Sequence, residues 1–206
     1  MSDIKLIDSH CHLIFENFNQ DLGEVVSRWR SKGVKKILHA CCELSEIPKL
    51  KEISQQFEEI YYSVGLHPLE ADQWKQTSKD ILRDAAQADK RVVAIGELGL
   101  DFFKSENIKK QINALIPQMH LAHELQLPVI IHCRDAAKEM IKICNELDQQ
   151  GKCPKGVLHC WTGTLDEMKK FLDLGFYISF SGIVSFPKAT DVHECARMVP
   201  KDRYLI

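Results

Sequence analysis

Residues 127–133 read LPVIIHC, an apolar, β-branched run followed by His132 and Cys133. A helical stretch precedes it, 107–126 (NIKKQINALIPQMHLAHELQ), and another follows, 135–151 (DAAKEMIKICNELDQQG). A short apolar run between two amphipathic stretches is the mark of a strand in a parallel sheet with crossover helices. The same rhythm extends in both directions. Further strands are predicted at IKLIDSH, VKKILHA, IYYSVGL, RVVAIGE, GVLHCW, FYISFSG and RYLI, which makes eight. The intervening stretches include 21–33, 44–57, 77–88 and 164–175, the last opening on Thr164 with Glu167 in capping-box spacing. Gly33, Gly151 and Gly175 mark helix ends, and Pro117 predicts a kink or a late start in the longest helix. Eight such units fit a (β/α)8 TIM barrel, an α/β fold whose competitor is an open doubly wound sheet.

The polar residues decide between the two. Catalytic groups of a barrel gather at the C-terminal ends of several strands. Here His132 ends one run, His159 another, Glu97 follows VVAIG, and His67 follows YYSVGL. At the start of the chain, KLIDSHCHL sets Asp8, His10 and His12 at alternate positions, so an extended strand turns all three to one face. Imidazole is the commonest protein ligand of first-row metals, and two on one strand supply half a tetrahedral shell. If the barrel closes, His10, His12, Glu97, His132 and His159 converge on one mouth as a metal centre. The carboxylate of Glu97 is the natural bridge between two cations, an arrangement suited to phosphate-ester hydrolysis. Cys11, Cys133 and Cys160 each follow one of these histidines, and alternation predicts that they turn away and pack. His39, His120, His123 and His193 lack this context and are left out of the site.

Composition sets outer bounds. The 206 residues carry 27 Lys plus Arg against 29 Asp plus Glu, a formal charge of −2, so no whole-protein basic field advertises nucleic-acid binding. Eight cysteines contain no Cys-x-x-Cys pair, and MSDI before the first strand is not a signal peptide, which predicts a reducing, cytoplasmic setting and thiols that serve mainly as packing. No apolar run approaches the roughly 18 residues of a membrane span. No repeat or linker divides the chain, so residues 1–206 are expected to form a single hydrolase domain.

The stretches DSHCHL, VGLHP, IGELGLD, PVIIHCRDA, GVLHCWTG and GFYISFSGIVSF, in this order over nearly the whole chain, resemble the TatD-like deoxyribonucleases, metal-dependent hydrolases with a TIM-barrel fold. The resemblance implies that His10 and His12 bind one metal, that Glu97 bridges, and that His132 and His159 bind the second. It implies catalytic roles for Glu97, for His67 near the scissile phosphate, and for Arg134, whose planar guanidinium suits a phosphate oxygen. It further implies exonuclease activity on DNA, at single strands or strand ends, with magnesium or manganese; the histidine-rich ligation favours zinc as a bound ion. The family continues past strand eight with Glu-Thr-Asp-x-Pro, whose Asp is a metal ligand, whereas this sequence ends at DRYLI. The barrel is therefore expected to be truncated in or after strand eight. Two other functions stay open: an amidohydrolase-type C–N hydrolase, which commonly has a bridging lysine where this chain has Glu97, and a catalytically silent metal-binding chain.

Overall fold

In a computed structural model, which describes residues 5–18 and 20–205, all eight apolar runs are strands. The order is β1 (Leu6–Cys11), α1 (Leu22–Ser31), β2 (Val34–His39), α2 (Ile47–Gln56), β3 (Ile60–Val64), α3 (Ser78–Ala88), β4 (Val92–Asp101), α4 (Ile108–Leu125), β5 (Val129–Arg134), α5 (Ala137–Gln149), β6 (Gly156–Leu158), α6 (Leu165–Asp173), β7 (Tyr177–Ser179), α7 (Thr190–Met198) and β8 (Tyr204–Leu205). All neighbouring strands pair in parallel and the sheet order is the sequence order, β1 to β8. An open doubly wound sheet would reverse that order at a switch point; a barrel does not. The barrel is nearly closed. Among the described residues no ladder joins β8 to β1, and on the free edge Leu6 and Ile7 are exposed. No helix is long and apolar enough to cross a membrane.

β4 is the most deeply set strand, with every residue but Val93 buried. Its register to β5 shifts between Ile95 and Leu98, a bulge that carries Glu97. Beyond it Gly99 lies opposite His132 with φ +141, and a Cβ at Gly99 would overlap the His132 carbonyl oxygen. Only glycine tolerates both the dihedral and the approach.

α4 packs on this strand through Leu115, Met119, Leu121 and Ala122, and buries two glutamines as well. Gln111 accepts the Asp101 N–H at 2.8 Å and donates to the Asp101 carbonyl at 2.8 Å. Gln118 does the same for Leu66, at 2.8 and 3.2 Å. A buried amide pairing with both groups of a strand-end residue satisfies polar atoms that would otherwise cost stability. It also fixes the two chain segments that carry Asp101 and His67.

Local signals hold well elsewhere. α6 opens on the Thr164 and Glu167 capping box, and Gly33, Gly151 and Gly175 take positive φ at helix ends. Of the two expectations for Pro117, the late start is corrected. α4 starts at Ile108 and runs through it, so the helix neither begins late nor divides there. The missing N–H forfeits one bond to the Asn113 carbonyl, and the buried face around Ala114, Leu115, Gln118 and Met119 supplies the compensating contacts.

Candidate metal centre

Glu97 stands at the centre of the barrel mouth, 2% exposed, with its N–H donating to the Cys41 carbonyl at 2.7 Å. Its Oε1 lies 2.6 Å from His159 Nε2, 3.1 Å from His132 Nδ1 and 3.4 Å from His67 Nε2. Its Oε2 lies 3.4 Å from His10 Nε2 and 3.7 Å from His12 Nε2. Five histidines from β1, β3, β5 and β6 or the turns just beyond them thus surround one carboxylate. Burial alone would raise its pKa, but the bonds from His10, His132, His159 and His67 hold it well below the usual carboxylate range. All of the expected ligands, His10, His12, Glu97, His132 and His159, are in this cluster, and His67 is too.

The hydrogen-bond partners of each ring distinguish their protonation. His12 Nδ1 lies 3.1 Å from the Ala40 carbonyl oxygen, which can only accept, so Nδ1 carries the proton and Nε2 presents a lone pair. Burial and the neighbouring His10 push His12 down to about 4, which keeps it neutral at physiological pH. Such a backbone carbonyl behind a ring is the usual way a ligating imidazole is oriented. His67 is the opposite case. Its Nδ1 accepts the Leu69 N–H at 3.1 Å, so the neutral ring carries its proton on Nε2, aimed at the cluster. It offers a donor where His12 offers a lone pair.

His132 bonds carboxylates on both sides, Glu97 through Nδ1 and Asp101 through Nε2 at 3.0 Å. Burial would lower its pKa, yet the two carboxylates outweigh it and hold the ring above its ordinary value. Burial lowers His159, with Glu97 opposing. His39 is committed elsewhere: it accepts the Leu13 N–H at 2.7 Å and faces the Ala40 oxygen at 2.9 Å, which places it beneath His12 as a support.

These residues fit divalent cations. Three sets of polar atoms lie within 4.8 Å of one another, His10 with Glu97 and His159, His12 with Cys42 and Glu97, and His67 with Glu97 and His132; Glu97 belongs to all three, and in the third His67 faces it with a protonated Nε2, as a hydrogen-bond donor rather than a ligand. The sets cut across the expected pairing of His10 with His12 and of His132 with His159. His10 Nε2 and His12 Nε2 do meet, at 3.1 Å beside the Glu97 carboxylate, a spacing that needs a shared proton or a cation. His10 Nδ1 is buried and unpartnered among the described residues.

Two cysteines depart from expectation. Cys42 does more than pack: its thiol lies 3.8 Å from His12 Nδ1, and burial with nearby carboxylates pushes that thiol up. Cys160 does not turn away. β6 ends at Leu158, so alternation no longer governs, and Cys160 adopts φ +50 with its sulfur 2.9 Å from Ser181 Oγ. It lines a cavity of about 280 Å³ together with Asp8, His10 and His159. Cys11 and Cys133 do face away, toward the Leu38 carbonyl and the core. Arg134 closes β5 with its guanidinium 3.9 Å from the Phe103 ring centroid, and it lines a cavity of about 230 Å³ with His132 and His159. Asp101, absent from the expected site, is the partner of His132. Its signal was its place at the end of β4, four residues beyond Glu97.

A family model described as TatD related DNase matches residues 7–206. The uncharacterized metal-dependent hydrolase YcfH of Escherichia coli (strain K12) is 37% identical over 205 residues, 98% of this chain and 76% of that protein. The 3'-5' ssDNA/RNA exonuclease TatD of Citrobacter koseri is 34% identical over 98% of this chain and 77% of its own length. The crystal structure of YJJV, a TatD homolog from Escherichia coli K12, superposes with a TM-score of 0.90 at 28% identity, over 98% of this chain and 77% of that one.

Proposed function

This chain belongs to the TatD-related DNase family of metal-dependent hydrolases, and from that premise we propose that it is a deoxyribonuclease that removes nucleotides from the ends of single-stranded DNA. The observation that carries the reading is the Glu97 cluster. One buried carboxylate at the meeting point of histidines from several strands suits a two-metal phosphodiesterase, in which bound cations would lower the pKa of a water and polarise the scissile group. In this proposal His10, His12, Glu97, His132 and His159 hold two divalent ions, magnesium or manganese during turnover and zinc on isolation. His67 presents its Nε2 proton, and Arg134 its guanidinium donors, to the phosphate oxygens. Asp101 keeps His132 aimed. Residues 1–206 act as one hydrolase unit in a cytoplasmic setting, and the near-neutral charge is compatible with a substrate gripped at one terminal phosphate rather than along a groove. A C–N hydrolase is less well supported, because a carboxylate occupies the bridging position where that chemistry commonly uses a modified lysine.

The test is cleavage of 3′-labelled and 5′-labelled single-stranded DNA in magnesium or manganese, beside Glu97→Gln. Stepwise shortening from one end that disappears in the variant is the expected result. Absence of cleavage by metal-loaded wild-type protein would overturn the reading.

A further inference from the structure

Phenylalanines more than half exposed are few among the described residues: Phe15 at 51%, Phe103 at 60% and Phe186 at 59%. All three lie in loops that follow strands, β1, β4 and β7, and therefore on the face where the Glu97 cluster opens. Exposed aromatics gathered at one face indicate a binding role, since burial elsewhere would stabilise the fold.

Two of them are built into the cluster. The Phe15 ring stacks on His12, with centroids 5.2 Å apart and planes inclined by 15°. Phe103 is held from two directions. Asp101 accepts the Phe103 N–H at 3.1 Å through the oxygen opposite the one that bonds His132, and Arg134 lies over the ring. The same carboxylate therefore fixes a ring of the cluster and an aromatic platform beside it. β1 and β4 stand three places apart in the order of eight strands, so the two platforms flank the mouth rather than adjoin.

We propose that Phe15 and Phe103 are stacking platforms for the two nucleobases on either side of the scissile phosphate of a single-stranded nucleic acid. This rests on the nuclease reading above and adds which residues take the bases. Each ring has one face backed by an imidazole or a guanidinium and the rest open. Stacking on such rings is tolerant of base identity, and Arg134 adds cation–π attraction on Phe103 while leaving its in-plane donors for phosphate. Bases in a duplex are already stacked on one another, so the platforms favour unpaired ends.

The experiment uses oligonucleotides with a slowly cleaved phosphorothioate terminal linkage and 2-aminopurine at the last or the next-to-last position, titrated into metal-loaded wild-type protein, Phe15→Ala, Phe103→Ala and Phe103→Tyr. Fluorescence should be quenched at both positions by wild-type protein. Each alanine variant should relieve quenching at one position, a different one for each, and weaken binding about tenfold, whereas Phe103→Tyr keeps the quench. An abasic residue at the matching position should erase the difference between variant and wild type. Unchanged quenching and affinity in both alanine variants, with wild-type protein still cleaving DNA, would overturn the proposal alone, as would be found if these rings served to dock a protein. Failure of wild-type protein to bind or cleave any oligonucleotide would overturn the nuclease reading and this inference together.

Discussion

His12 and His67 both point at Glu97, and they differ in which ring nitrogen holds the proton. The Ala40 carbonyl fixes it on Nδ1 of His12, and the Leu69 N–H excludes it from Nδ1 of His67. His12→Ala should therefore lower the manganese bound per chain after dialysis, while His67→Ala keeps the metal and instead raises KM for DNA. Equal metal loss in the two variants would remove the distinction. The strand-end histidines were legible in the sequence because each follows an apolar run directly. The tautomers were not, because a proton's position depends on a partner 28 residues away in one case and on a turn amide in the other. Cys160 escaped for a related reason: alternation holds only while the strand lasts, and β6 stops at Leu158.

At the scale of elements, α4 connects the core to the site. Gln118 satisfies both backbone groups of Leu66, immediately before His67, and also donates to the Ala114 carbonyl at 3.0 Å. Gln118→Met keeps the volume but leaves buried groups unpaired, so urea denaturation should show a loss of about 2 to 3 kcal/mol at unchanged m. α4 also meets α3 at the surface, where Glu124 accepts from Lys79 Nζ at 2.7 Å and from an Arg83 guanidinium N–H at 2.6 Å. Bonds from Lys79 and Arg83 lower the Glu124 pKa to about 2. A depressed folded-state pKa contributes stability that is present above the unfolded value of about 4.3 and is lost as pH falls toward about 2. Solvent exposure limits it to under about 1 kcal/mol, so Glu124→Gln should cost a few tenths at neutral pH, less in high salt, and nothing near pH 2. The capping box at Thr164 and the helix-ending glycines were readable because their partners lie within a turn. The glutamine clamps were not, since Gln118 and Leu66 are 52 positions apart. Pro117 did not delay the helix start because its local cost is outweighed by packing that only the assembled barrel supplies.

For the whole molecule, the alternation of apolar runs and amphipathic stretches gave the barrel, since parallel strands joined by crossover helices leave few topologies. What the pattern did not convey is the bulge in β4 that sets Glu97 at the centre, since that register shift depends on the pairing with β5. Placing Glu97 on a bulge, 2% exposed and within 3.7 Å of five imidazoles, concentrates the chemistry of the barrel on one residue. The most direct test of that claim is metal content by mass spectrometry after equilibration with manganese and desalting, for wild-type protein and Glu97→Gln. About two equivalents in wild-type protein and well under one in the variant are predicted for a bridging carboxylate. Equal metal content in both proteins, or none in the wild type, would contradict it.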